Sequence, residues 1–360
     1  MNTRRSRLTV PALLVAVVAG CSEPARVERA WTALSDGTEL QATVYSVRAQ
    51  GAEQALDEMR VSVATFSTNT LAGPDGGTLG QLNREAARDY FPVQDLDLYR
   101  CVLLALDYGK VSEGAFDPTI EPLLRLYRRS AEAGGPTVAE LGSALGAVGW
   151  QKVGVASEPR AIRFRHDGMA LDLGGVAKGF TLDVGARVFA RPGLLAGLVR
   201  LGGNAYAWQA PPDHAYWKVG LTDPRDPSRP FLTVGAANQG VAVSGRRGME
   251  EPSAGVDPAR IVLDPRTGQP AAGDVIAAVA LADSAADADA LATALHVAGS
   301  TRGAALLKKM RRVEAILLVE DRDGTRRLIA SPSLEGRIEL SQALARETGG
   351  EIRYLLPGAR

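Results

Sequence analysis

The spacing of apolar and polar residues changes character about midway along the chain. In the first half, apolar residues recur every three or four positions over helix-length stretches at 51–67, 94–109 and 119–132. The second half is dominated by short runs of apolar and β-branched residues, such as YWKVGLTDP, FLTVGAAN and QGVAVSG. The pattern therefore predicts helices in the first half and mainly strands in the second.

Shorter segments refine this prediction. LQATVYSVRA (40–49) and the stretches 151–155 and 161–165 are typical of strands, and 177–190 of a helix. Thr137 and Glu140 have the spacing of a capping box. The glycine-rich stretch 73–86 predicts an exposed loop. The run DVIAAVAL precedes a helix that Ser284 caps and Gly299 ends.

Strands outnumber regular strand–helix–strand units, and the sequence shows no repeat of fixed period. The expected fold is therefore α+β, with largely antiparallel sheets flanked by helices. No linker divides the chain, so a single domain over 31–345 is expected. It would follow a signal peptide (1–20) and a short tether (21–30), and a polar tail (346–360) would end the chain.

The N-terminus has the features of an export signal. Three arginines precede the apolar run LTVPALLVAVVAG, which is short for a transmembrane span, and Cys21 follows at once. VAGC resembles a bacterial lipobox, which predicts acylation of Cys21 and a lipoprotein anchored on the periplasmic side of a cell-envelope membrane. The alternative is an ordinary secretory signal followed by a chance cysteine.

Composition excludes some functions. Basic and acidic residues number 41 each and aromatics amount to 5%, which argues against a nucleic-acid-binding protein. The other cysteine, Cys101, lies in a helical apolar stretch and is expected to be buried and inert. The three histidines are far apart in sequence, which argues against a histidine-rich metal site.

Two segments have residues suited to chemistry. In LDLGGVAKGF (171–180), a glycine pair between a carboxylate and Lys178 allows backbone amides to approach an anion. Asp289 and Thr293 lie four residues apart on the predicted helix 284–299, a plausible pair for Mg²⁺ shared with a phosphate. The alternative for this pair is a solvated helix face. GAFDPT (114–119) and LDPRTG (263–268), taken separately, are ordinary turns.

These motifs occur in one order along the chain: GAFDPT, LDLGGVAKG, LVRLGGNAYA, VAVSG, LDPRTG and SAADADALATAL. Together they resemble the FAD:protein FMN transferase family, the ApbE-type flavin transferases, from about residue 38 to 320. The resemblance implies an FAD site and a Mg²⁺ site. The implied flavin-nucleotide positions are Gln41 (a loose match), Ala115, Phe116, Asp117, Asp172, Lys178 and Leu263. The implied metal positions are Gly175, Asp289 and Thr293, with Gly175 acting through its carbonyl.

The resemblance also implies a reaction. FMN would pass from FAD to a Ser or Thr hydroxyl of an exported or membrane redox protein, and AMP would leave. Two alternatives stay open: a hydrolase that splits FAD into FMN and AMP, and a flavin-binding lipoprotein without turnover.

The chain departs from the family near the reacting groups. Ile261 occupies the position of a family histidine, and RRGMEEPSAGVDPAR (246–260) replaces a tyrosine-bearing segment. If that histidine is a general base, its loss costs about 10²–10⁴-fold in rate. Asp264 is the candidate substitute. His296, three residues after Thr293, is a second candidate, and its alternative role is to pack beneath a loop.

Overall fold

The computed structural model describes residues 24–32, 38–70, 73–131, 134–226, 228–245 and 262–356. Fifteen strands lie within these residues: β1 Ala25–Thr32, β2 Glu39–Ser46, β3 Phe91–Pro92, β4 Val153–Ser157, β5 Arg160–Phe164, β6 Leu194–Leu201, β7 Asn204–Trp208, β8 Trp217–Thr222, β9 Pro230–Ala236, β10 Gln239–Gly245, β11 Val275–Ala282, β12 Glu314–Glu320, β13 Arg326–Ala330, β14 Ile338–Leu340 and β15 Ile352–Arg353. The same residues form eight α-helices: α1 Ala49–Thr70, α2 Gly77–Glu85, α3 Leu96–Val111, α4 Glu121–Ser130, α5 Val138–Gly146, α6 Ala177–Ala186, α7 Ala285–Lys309 and α8 Gln342–Thr348. None of the described helices combines the length and apolar content that a membrane crossing requires.

The main sheet has nine strands within the described residues, in the order β1-β2-β6-β7-β10-β11-β12-β13-β15. Every neighbouring pair in it is antiparallel except β13 with β15. Two three-stranded sheets accompany it, β14-β9-β8 and β3-β5-β4. The predicted α+β fold with largely antiparallel sheets is confirmed.

Strand β11 is buried on both faces. Ala278, Ala280 and Ala282 belong to the core shared with the helices, whereas Val279 and Leu281 belong to the core shared with β8 and β9. The side chains toward the helices are small, which allows α7 to lie close against the sheet. Helices therefore cover one face of the main sheet and a small sheet covers the other.

Local signals at two helix starts are confirmed. Thr137 and Glu140 form the capping box of α5. The Ser284 hydroxyl accepts from Asp287 N at the start of α7. Asp183 on α6 adds a longer-range cap, because its carboxylate accepts from the backbone N–H groups of Ala285 and Ala286.

Three predictions about the chain's organisation were wrong. The expected loop at 73–86 contains α2, because Leu79 and Leu82 are buried against the helical core. Gly299 ends the first helical segment of α7 as predicted, because its φ of 76° and ψ of 172° are not helical, and a second helical segment follows it to Lys309. The expected tether over 21–30 contains most of β1, which pairs with β2, and the expected tail over 346–360 contains β15. Cys101, in contrast, is buried as predicted, and burial raises the pKa of its thiol well above the usual range.

Candidate active site

A cleft of about 420 Å³ opens where α4, α6 and α7 meet the ends of β7 and β10. Nine of the residues singled out in the sequence line it, although they come from four separate segments of the chain: Ala115, Phe116, Asp117, Asp172, Gly175, Lys178, Leu263, Asp289 and Thr293. The structure therefore assembles into one site what the sequence presents as separate motifs.

The segment 171–180 forms a turn that leads into α6. The Leu173 carbonyl accepts from the N–H groups of Val176 and Ala177, which closes the turn. Asp172 Oδ1 accepts from Gly174 N at 2.8 Å, and Lys178 Nζ donates to Gly174 O at 2.9 Å. The carboxylate and the ammonium are thus both held on the glycine turn that borders the cleft.

Gly179 brings α6 and α7 into direct backbone contact. A Cβ at this position would lie 2.1 Å from the carbonyl oxygen of Ala285, so the two helices approach this closely because residue 179 is glycine. Gly179 N then donates to Asp289 Oδ2 at 2.9 Å. One carboxylate oxygen of Asp289 is therefore fixed by the backbone of the neighbouring helix.

The three residues expected to hold Mg²⁺ lie together. A Cβ built on Gly175 would be 3.4 Å from Thr293 Oγ1 and 2.9 Å from the Phe116 ring. Thr293 Oγ1 donates to Asp289 O at 3.2 Å, so the hydroxyl and the carboxylate occupy successive turns of one helix face. Carbonyl, hydroxyl and carboxylate oxygens are the donors that Mg²⁺ takes.

The donor set carries little negative charge of its own. Within the described part of the chain, no group of three or more His, Cys, Asp or Glu side chains is placed to hold a metal ion. Mg²⁺ is commonly bound by one or two carboxylates together with waters and substrate phosphates. These residues therefore fit a Mg²⁺ ion that arrives with a phosphorylated ligand.

Electrostatics in the cleft combine burial with two nearby cations. Burial raises the pKa of Asp172, while the hydrogen bond from Gly174 and the charges of Lys178 and Arg128 lower it. Arg128 reaches the cleft from α4 and was not among the residues singled out in the sequence. Two cationic side chains, Lys178 and Arg128, therefore lie near the Asp172 carboxylate at the border of the cleft.

Asp117 has a structural role. Its carboxylate accepts from Thr119 N, Thr119 Oγ1 and Trp150 N at 2.6–2.9 Å. Desolvation raises the pKa of this carboxyl, and those hydrogen bonds oppose the rise. The Asp117 carboxylate is therefore committed to anchoring the loop, and all three residues of segment 115–117 are largely buried where they line the cleft.

Two other predicted residues are placed differently. Gln41 lies on β2, bonds Glu39 and lines a separate cavity with Tyr45 and Trp217, so the structure does not bring it to this cleft. The Asp264 carboxylate accepts hydrogen bonds from Nε and Nη2 of Arg266 at 2.7–2.8 Å. The backbone of Asp264 closes the turn of LDPRTG. That carboxylate is committed to the turn, which argues against the predicted role as a base.

His296 is buried behind the cleft wall. Its Nδ1 lies 3.3 Å from the hydroxyl of Ser244, and Ser244 lines the cleft. The other two histidines, His166 and His214, line separate cavities. Ile261, the segment 246–260 and Cys21 lie outside the described residues.

Sequence reasoning missed other residues that line the cleft, including Asn204 at the start of β7. Its side chain is 2% exposed, and Nδ2 has no hydrogen-bond partner among the described residues. The signal available was LGGN, a glycine pair directly before a polar residue at a strand start. LGGN belongs to the ordered series of motifs, in which the resemblance implies no role for the asparagine.

The cleft brings carboxylate, hydroxyl and glycine backbone groups together with Lys178 and Arg128 on an α+β domain. The model of the ApbE family matches residues 37–317. The chain is 31% identical over 354 residues to the FAD:protein FMN transferase of Treponema pallidum, covering 94% of this chain and 96% of that protein. It is 25% identical over 283 residues to that of Vibrio cholerae, covering 78% and 81%.

Solved structures agree in fold. The flavin transferase ApbE from Vibrio cholerae superposes with a TM-score of 0.71 at 22% identity, covering 88% of this chain and all of that one. The apo form of the Pseudomonas stutzeri flavinyl transferase ApbE gives 0.69 at 21% identity, covering 92% and 100%. The chain belongs to the ApbE family of flavin transferases.

Proposed function

We propose that this chain transfers FMN from FAD to a Ser or Thr hydroxyl of a partner protein, with Mg²⁺ and with release of AMP. The observation that carries the proposal is the meeting of Gly175, Asp289 and Thr293 beside the Asp172–Lys178 turn. A cation site next to the turn that carries the Lys178 ammonium suits a dinucleotide whose diphosphate is the reacting group.

The reaction balances as a phosphoryl-type transfer. The acceptor hydroxyl oxygen bonds to the FMN-side phosphorus, the bond from that phosphorus to the bridging oxygen breaks, and AMP leaves with that oxygen. The hydroxyl proton passes to water. Bound Mg²⁺ would neutralise the charge that develops on the diphosphate.

Residues of this chain supply orientation. Lys178 adds positive charge at the turn, and its bond to Gly174 O fixes where that charge lies. The bond from Gly179 N restricts the Asp289 carboxylate to one orientation toward the cleft. Preorganised groups of this kind lower the barrier because they need not rearrange during the reaction.

The proposal extends to the location of the protein. An acylated Cys21 would anchor it to a cell-envelope membrane, where its acceptor would be an exported or membrane redox protein carrying a flavinylation-type Ser/Thr motif. Mass spectrometry of the native N-terminus tests this. A mature protein that starts elsewhere and carries no lipid would refute the anchor without affecting the reaction.

The decisive experiment measures AMP released from FAD by the purified chain, with and without Mg²⁺, in the presence of a Thr-containing acceptor peptide. We expect release that depends on the cation, disappears in Asp289→Ala and is weakened less in Thr293→Ala. A carboxylate contributes more to binding a hard cation than a neutral hydroxyl does. Asp57→Ala, an exposed aspartate on α1, is the matched control and should behave as wild type.

Each other outcome has a defined meaning. AMP without FMN on the peptide would identify a hydrolase. FAD binding without AMP release would identify a flavin-binding protein that does not turn over. Unchanged AMP release in Asp289→Ala would mean that the cation does not bind at this helix.

A further inference from the structure

One face of α4 and the residue before it form a wall of the cleft. Ile120, Leu124 and Arg128 all line the cleft, and their spacing of four residues places them on the same side of the helix. The first two present apolar surface, and the third places a guanidinium at the rim with 38% of its side chain exposed. The wall therefore offers one fixed cation next to an apolar surface.

The guanidinium of Arg128 is held from behind by a buried carboxylate. The Glu121 side chain is 0% exposed, and its Oε1 accepts from Arg128 Nη2 and lies 3.5 Å from Arg125 Nε. Its Oε2 has no hydrogen-bond partner among the described residues. A buried carboxylate is costly unless it is paired, so Glu121 restrains Arg128 strongly.

The pair stands beside the turn that carries Asp172 and Lys178. Charges on both Arg128 and Lys178 act on Asp172, and the charge of Asp172 acts in turn on Glu121. Arg128 donates to Glu121 through Nη2, and Glu121 is the one hydrogen-bond partner of the Arg128 side chain in the described part of the chain. The remaining N–H groups of the fork suit the paired oxygens of a phosphate.

We propose that Arg128 binds the diphosphate of FAD, and that Glu121 is the positioning residue that holds Arg128 at the cleft. This inference rests on the proposed function, since it names a further group for the same ligand. In this arrangement the Arg128 guanidinium contacts the diphosphate, and the apolar surface of Ile120 and Leu124 contacts the rest of the ligand.

The test is a calorimetric titration of the full chain with FAD and, separately, with riboflavin, which lacks phosphate. Arg128→Gln should weaken FAD binding by about 10–100-fold, as expected when a charge-assisted hydrogen bond is lost, and should leave riboflavin binding unchanged. Arg128→Lys should recover part of the affinity because it restores the charge without the fork. Glu121→Gln should weaken FAD binding less than Arg128→Gln does.

Arg129→Gln is the matched control, because this neighbouring arginine is 64% exposed and faces Glu140. It should bind FAD as wild type does. Wild-type FAD affinity in Arg128→Gln would overturn the inference and leave the proposed function standing. Equal losses for FAD and riboflavin would also overturn it, since a distorted cleft would affect both ligands. Failure of the wild-type chain to bind FAD would instead overturn the proposed function.

Discussion

Substitution of Gly179 by alanine should damage both the stability and the activity of this protein. The added Cβ would lie 2.1 Å from the carbonyl oxygen of Ala285, 2.6 Å from its carbonyl carbon and 2.8 Å from the Cα of Ala286, where ordinary contact begins at 3.4 Å. All three atoms belong to the backbone, so no side-chain rotation relieves the clash. Helices α6 and α7 must separate by about 1 Å.

The magnitude follows from two effects. Overpacking of a core usually costs about 1–3 kcal/mol, and a clash with backbone belongs at the upper end of that range. Separation of the helices also lengthens the 2.9 Å bond from Gly179 N to Asp289, and a hydrogen bond to a charged group is worth about 1.5–3 kcal/mol. We expect a loss of roughly 3–5 kcal/mol and a fall in melting temperature of roughly 10 °C.

The assay combines thermal unfolding with the rate of AMP release from FAD. Because Asp289 loses its fixed orientation, the rate should fall about tenfold or more, and excess Mg²⁺ should recover part of it. Gly142→Ala on α5 is the matched control; nothing lies within 4 Å of its new Cβ, and it should be neutral or slightly stabilising. A Gly179→Ala protein that melts within about 2 °C of wild type and releases AMP normally would refute the packing argument.

Two further predictions concern charged groups of the cleft. Asp172→Ala and Lys178→Ala should each weaken FAD binding by about 1.5–3 kcal/mol in calorimetric titration. Lys308→Ala, on the exposed part of α7, is the control and should bind FAD as wild type does. Wild-type affinity in both cleft mutants would show that Asp172 and Lys178 do not belong to the FAD site. Burial raises the pKa of Glu121 from 4.5 to about 7, although Arg128 lowers it, so the folded state binds this proton more tightly than the unfolded state does. The contribution of Glu121 to the free energy of unfolding is therefore full below pH 4.5 and is lost as pH rises to about 7. Urea unfolding at several pH values should show that the free energy of unfolding depends less on pH in Glu121→Gln than in wild type. The same pH dependence in both proteins would contradict this account.

The family resemblance and the broad fold could be predicted from the sequence because they rest on local features. The capping box at Thr137 and the cap at Ser284 involve residues within three positions of each other. The run DVIAAVAL, which precedes the predicted helix, contains most of β11, and every residue of that strand is buried. The order of the motifs carries the family resemblance, and the resemblance implies the roles of Asp172, Asp289 and Thr293 in binding FAD and Mg²⁺.

Tertiary contacts decided what those local features left open. β1 and β15 form because the main sheet offers them strands to pair with, and no pattern in their own short sequences indicates this. The roles of acidic side chains were also left open by the sequence. Hydrogen bonds to neighbouring residues show that Asp117 anchors a loop and that Asp264 stabilises a turn. Arg128 lies at the cleft paired with the buried carboxylate of Glu121. The sequence does not show this pairing, because the partner of a buried charge depends on which groups surround it in space and not on which residues adjoin it along the chain.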